Sequence, residues 1–283
     1  MGAEEGGAVP PANPADARGR PAPLGDSPPH LLTAYYAALD TGRFEDAVQS
    51  FTADVVYAVP FAGAKEVEPR NVLEGRAALT AYFRARGIHP YRHAILVCAS
   101  DGESCLVEGI SEDADGRPVR TFVASLQLDA GGRIRRYLAY HCEPPVLPAP
   151  VAEGPVRGDA CALVGRYFAA LASGQFTAAA ACFSERVLYS HPPYRHTGIT
   201  DDRRLELHGR EELLETFRRR GRTSYRYRID VCLQRGANCL FENVVLGLPG
   251  GRTGGAIASL SLDTEGLIER YAAFYCEPAL PRR

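Results

Sequence analysis

Tryptophan is absent, methionine occurs once, at position 1, and lysine occurs once, at Lys65, against 31 arginines. Schiff-base chemistry would therefore have to use Lys65, in a loop flanked by glycine and proline. No apolar run approaches the length of a membrane span. Net charge is −2 and the isoelectric point about 6.4, which argues against general attraction to nucleic acid or to an anionic membrane surface. A glycine-rich phosphate loop, a nucleophile elbow and a dinucleotide fingerprint are all missing, so those enzyme classes are not expected. Residues 1–29 lack the basic start and apolar stretch of a secretory signal. Their Gly, Ala and Pro content reads as a disordered leader. Without an export signal the expected compartment is the cytoplasm, and the eight cysteines read as reduced thiols rather than a disulfide framework.

What is present is an ordinary globular balance, 46% hydrophobic and 23% charged, over 283 residues. That length suggests two domains. The chain also repeats itself. LLTAYYAALDTGRF at 31–44 returns as LVGRYFAALASGQF at 163–176. Leu31, Tyr35, Leu39, Gly42 and Phe44 recur as Leu163, Tyr167, Leu171, Gly174 and Phe176, and Tyr57 and Pro60 as Tyr189 and Pro192. After a two-residue gain, Gly75-Arg76, Tyr91-Arg92, Cys98, Cys105 and Glu108 recur as Gly209-Arg210, Tyr225-Arg226, Cys232, Cys239 and Glu242. Cys142-Glu143-Pro144 and Cys276-Glu277-Pro278 close the copies. The period is too long for a solenoid, so each copy is a domain, at 30–146 and 159–280, joined by the Pro/Gly linker 147–158.

Each copy reads as helices followed by a meander. Leu32, Tyr35, Tyr36 and Leu39 fall at helical spacing before Gly42. A short helix through Ala47, a strand at 54–59 and a helix at about 76–86 follow. Strands are predicted at about 91–99, 104–111, 118–129 and 133–142, with Asp101-Gly102, Asp115-Gly116 and Gly131-Gly132 as turns. In the last strand Tyr137, Ala139 and His141 oppose Leu138, Tyr140 and Cys142, and neither face is plainly polar. Such a sheet needs cover on both sides. Helices supply one cover, and the other copy is the natural candidate for the second. The pattern is α+β.

This order of elements resembles the nuclear-transport-factor-2-like superfamily, in particular its SnoaL-like and ketosteroid-isomerase-like branches, over about 230 residues. The resemblance implies two fused cone-shaped domains, each a curved, mostly antiparallel sheet wrapped around helices, forming a pseudo-dimer within a monomeric chain. It also implies a deep apolar pocket. Family members include isomerases, polyketide cyclases, epoxide hydrolases and non-catalytic binding modules, and fused copies look like the epoxide-opening cyclases of polyether biosynthesis. Ketosteroid isomerase places an oxyanion-binding Tyr where Tyr35 and Tyr167 stand. Its base falls at Val59 and His191, and its second acid at Ala124 and Ala258. The isomerase carboxylates are therefore missing.

His191 is the leading proton-transfer candidate, because an imidazole titrates near neutrality and the resemblance puts it at the base position. As a competing reading, it is a surface-loop histidine beside two prolines. Tyr167 could donate to an oxyanion, or could simply be a core aromatic. Tyr35, Tyr137, His141, His196, Tyr271 and Tyr275 are candidate ligand-binding residues. The second copy is the expected seat of chemistry. Glu108 and Glu242 are left without a role, since a one-residue register shift would change their face. His191, His196 and His208, with Asp201 and Asp202, match no zinc spacing, so no metal is expected. The basic run at 218–228 reads as a helix end and an edge strand with solvated arginines. The resulting expectation is a cofactor-free acid–base enzyme of specialised metabolism acting on an apolar, oxygenated small molecule by cyclisation, isomerisation or dehydration. The competing expectation is a non-catalytic binding or scaffold module.

Overall fold

The computed structural model describes residues 30–59, 72–143, 145–146, 157–192, 204–276, 279 and 282. The leader, most of the linker, Pro60, Lys65 and His196 lie outside the described residues. The first unit contains α1 (His30–Asp40), α2 (Phe44–Gln49), β1 (Phe51–Ala58), β2 (Val72–Glu74), α3 (Arg76–Arg86), β3 (Arg92–Ser100), β4 (Ser104–Glu112), β5 (Pro118–Leu128) and β6 (Ile134–Cys142). The second contains α4 (Ala160–Ser173), α5 (Phe176–Ala180), β7 (Phe183–His191), β8 (Leu205–His208), α6 (Arg210–Arg220), β9 (Arg226–Arg235), β10 (Asn238–Leu246), β11 (Thr253–Leu262) and β12 (Ile268–Cys276). The expected helices and meander strands are present within a few residues of their predicted bounds. Strands β2 and β8 had no sequence signal. They are three and four residues long and exist only through pairing with β1 and β7.

Both sheets have the same order, β2-β1-β6-β5-β4-β3 and β8-β7-β12-β11-β10-β9. The meander is antiparallel, and the first strand lies parallel to the last. This places Tyr57 beside Tyr137 and Tyr189 beside Tyr271. Within each unit the inner sheet face packs on the helices. One core joins Leu32, Tyr35, Leu39, Phe51, Phe83, Ala124 and Tyr137. Its counterpart joins Leu163, Tyr167, Leu171, Phe183, Phe217, Ala258 and Tyr271.

The outer faces cover each other. Val123, Leu138 and Tyr140 pack with Ile257, Ala272 and Phe274. Ala99 and Leu106 pack with Leu233 and Leu240. This explains why neither face of β6 is plainly polar. Glu108 and Glu242 sit on this outer face. Glu108 accepts from Arg270 and Ser259 of the other unit, and Glu242 accepts from Arg136 and Ser125. The two networks are reciprocal, as a twofold relation between the units requires. Arg282 adds a further bond to Glu242 at 2.7 Å. All four principal charges are nearly fully buried, so each depends on its partner across the interface.

One expectation is corrected. Cys161, in the first turn of α4, is joined to Cys232 on β9. Cys161 lies outside the repeated cysteine pairs, so spacing did not reveal it. The fold brings the helix start against the sheet. Cys98 and Cys105 face each other at 3.4 Å as free thiols.

Candidate active site

In the first unit, four tyrosines occupy the interior between α1 and the β1–β6 pair. The hydroxyls of Tyr35 and Tyr57 are 3.1 Å apart, and those of Tyr36 and Tyr137 are 2.9 Å apart. The rings of Tyr57 and Tyr137 stack at 4.8 Å. Burial raises all four phenols, Tyr137 to about 12, so they are hydrogen-bond donors rather than phenolates.

Above them, His93 stacks on Tyr36 at 4.9 Å and meets Phe122 edge-on at 5.5 Å. Asp40 holds His93 twice. One carboxylate oxygen accepts from the backbone N of His93 at 2.8 Å, and the other lies 2.6 Å from Nδ1. A carboxylate only accepts, so Nδ1 carries the proton, and the neutral form of the ring has its lone pair on Nε2. The two side chains are 12% and 8% exposed. Asp40 ends α1, where the helix dipole disfavours negative charge. Its contacts here are with β3. His141 lies across Phe122 at 6.2 Å. Burial, then the charge of Arg120, lowers it to about 3. Three residues of this group were candidates from the sequence: Tyr35, Tyr137 and His141. Asp40, His93 and Tyr36 were not. The available signal was the repeat itself. Asp40, Tyr36, His93, Arg120 and His141 align with Ala172, Phe168, Tyr227, Gly254 and Tyr275.

The second unit keeps the frame and loses the polar groups. Phe168 stacks on Tyr227 at 4.5 Å, in the arrangement of Tyr36 and His93, with Ala172 at the position of Asp40. Tyr275 lies over Gly254, where a Cβ would meet its hydroxyl at 2.2 Å. Its ring therefore fills the space into which Arg120 projects in the first unit. Tyr167 is fully buried, with its hydroxyl 3.4 Å from that of Tyr189 and its ring edge-on to Phe183 and Tyr271.

His191 ends β7 and lies parallel to Tyr189 at 6.0 Å. Its Nδ1 donates to the carbonyl of Pro192 at 2.6 Å. Burial, aided by the charges of Arg204 and Arg220, lowers it to about 3 against the bond to Pro192. A base that weak is mismatched to work near neutral pH. The grooves on the outer side of α4 and α5, lined by Leu163, Arg166, Ala170 and Cys182, hold none of these residues. Cys161, Cys232 and Cys239 bring three sulfurs within 4.8 Å of one another, a metal-type ligand group, although the first two are bonded together.

A meander closed on helices, with its first strand parallel to its last, is the arrangement that the nuclear-transport-factor-2-like resemblance implies, and both units show it. Residues 32–137 match the model of the SnoaL-like domain, so the first unit is a SnoaL-like domain and the second repeats it as a tandem duplication. Similar solved structures include an NTF-2-like protein from Burkholderia xenovorans LB400, 20% identical, covering 42% of this chain and 84% of its own, with a TM-score of 0.34. A candidate ketosteroid isomerase from Kribbella flavida is 21% identical, covering 43% and 81%, with a TM-score of 0.33. A candidate polyketide cyclase from Sinorhizobium meliloti is 21% identical, covering 40% and 94%, with a TM-score of 0.31. No curated protein matches the chain. No helix among the described residues is long and apolar enough to cross a membrane.

Proposed function

We propose that the chain is a cofactor-free acid–base enzyme acting on an oxygenated, largely apolar small molecule, with its chemistry in the first unit. The observation that carries this is the Asp40–His93 pair, held at 2.6 Å in a nearly enclosed site against the Tyr36–Tyr137 hydroxyl pair. Asp40 positions the imidazole, and Nε2 of His93 takes a proton from carbon or oxygen of the substrate. The tyrosine hydroxyls stay protonated and donate to the oxygen on which charge develops. Proton removal at one atom and stabilisation of an adjacent oxyanion serve isomerisation, dehydration and ring closure alike. The second unit, with Tyr227 and Ala172 in place of the pair, serves assembly by covering the outer face of the first sheet.

The test is a panel of β-hydroxyketones and enones incubated with the full chain in D2O and followed by proton NMR. Exchange of the α-proton, water loss or ring closure is expected. It should fall by about 100-fold or more in His93→Gln and Asp40→Asn, with the same variants' KM little changed. His191→Ala and Tyr167→Phe should turn over normally. Activity that survives in His93→Gln and is lost in His191→Ala would place the chemistry in the second unit. Compounds that bind but are recovered unchanged would make the protein a binding module.

A further inference from the structure

The tyrosine cluster of the first unit has a cationic neighbour with no carboxylate partner among the described residues. Arg86, the last residue of α3, lays its guanidinium over Phe83 at 5.2 Å and is only partly exposed. Among the described residues it has no carboxylate partner, and its enclosed Nε has no hydrogen-bond acceptor. Its charge acts on the hydroxyls of Tyr57 and Tyr137 and on His89 and His141. A second guanidinium, Arg120, faces the same histidines. It lies over Tyr91 at 4.5 Å, and its ion pair is with Glu143, which is 57% exposed and so displaceable. The Nε of Arg120 is likewise enclosed without an acceptor. His89 stacks on the other ring of this rim, Tyr91, at 4.8 Å. Asp40 is the acid deeper in the site, and His93 engages both of its oxygens.

A partly buried guanidinium without a counter-charge loses hydration that a ring contact and a helix end offset only in part. Such a fork is suited to a planar carboxylate. In the second unit the positions of His89, Arg120 and His141 hold Thr223, Gly254 and Tyr275, so these three basic groups belong to the first unit. Arg220 keeps the position of Arg86, over Phe217 at 5.7 Å. A helix C-terminus favours a cation in any case. The contrast therefore lies in the surroundings and not in the arginine itself.

We infer that the substrate of the first unit carries a carboxylate, received by Arg86 and Arg120 at the rim while its apolar body reaches toward Tyr36 and Phe122. This rests on the first unit being the substrate site. The probes are 2-naphthoate and 2-naphthamide, which are nearly equal in shape and differ by one charge. Each is titrated into the full chain by calorimetry. The carboxylate should bind at least tenfold more tightly. Arg86→Gln and Arg120→Gln should each shrink that ratio several-fold without changing the amide's affinity, Arg86→Lys should keep most of it, and Arg220→Gln should leave it intact. Equal affinity for the two probes would overturn the carboxylate assignment while leaving the site reading in place. Binding of neither probe would overturn both.

Discussion

The two units share a frame and differ in the partly buried polar groups set on it. Both stack a strand residue on the second aromatic of the helix pair, His93 on Tyr36 and Tyr227 on Phe168. Both stack neighbouring tyrosines across the first and last strands at nearly the same distance, 4.8 and 4.9 Å. Among the many substitutions between them, four fall around one spot: Asp40 and Ala172, His93 and Tyr227, Arg120 and Gly254, His141 and Tyr275. Bulk is exchanged as well as charge. Gly109 lets the Phe122 ring lie against its strand, where a Cβ would meet the ring at 2.3 Å, while the paired positions in the second unit are Asn243 and Ala256. A frame held by stacking and backbone pairing tolerates those four exchanges because their positions, Gly254 apart, are only partly buried. One unit can then carry reactive groups while its copy carries filler.

The largest expected effect tests whether the units stand apart. Glu108→Ala removes the carboxylate that the buried Arg270 meets across the interface, and Glu242→Ala does the same for Arg136, so each should cost about 3–5 kcal/mol in urea unfolding. Glu242→Ala should be the worse of the two, because Arg282 also loses its ion pair and keeps, among the described residues, only the hydroxyls of Ser104 and Ser125. Equal, small losses would mean that the interface contributes little and that the units fold separately.

The acid limb is the next effect in size. His141 and His191 are each held neutral, at about 3 against an ordinary 6.5. The unfolded chain therefore binds more protons between those values. Stability should be full above about pH 6.5 and fall as pH drops toward 3. Exchanging each histidine for its repeat partner, His141→Tyr and His191→Val, should flatten part of that fall, as read from melting temperature against pH. Flattening in one variant alone would show that only one unit buries its imidazole in solution.

The smallest effect sharpens the comparison of hydroxyls. Tyr57→Phe removes a 3.1 Å bond to Tyr35 and should cost about 1 kcal/mol. Tyr189→Phe removes a 3.4 Å contact to Tyr167 and should cost less. The reverse order would mean that the polar cluster in the first unit is not tighter than that in the second.

The repeat, the helix-then-meander order and the two-faced apolar strands were legible in the chain, since each follows from local spacing and burial periodicity. The faces of Thr121, Val123 and Ser125 against Ala124 and Leu126 were legible for the same reason. The Asp40–His93 pair was not. Its members are 53 positions apart and meet only because α1 packs its end against β3. Nor was the bond between Cys161 and Cys232, 71 positions apart. Glu108 shows the same divide within one residue. Its recurrence as Glu242 was plain in the sequence, but its partner Arg270 lies 162 positions away on the other sheet. By itself the sequence determined the fold of each copy, because side-chain periodicity is set by neighbours along the chain. Tertiary structure decided which copy holds the Asp40–His93 pair and what the buried charges do, because those depend on distances between strands and helices that no local spacing encodes.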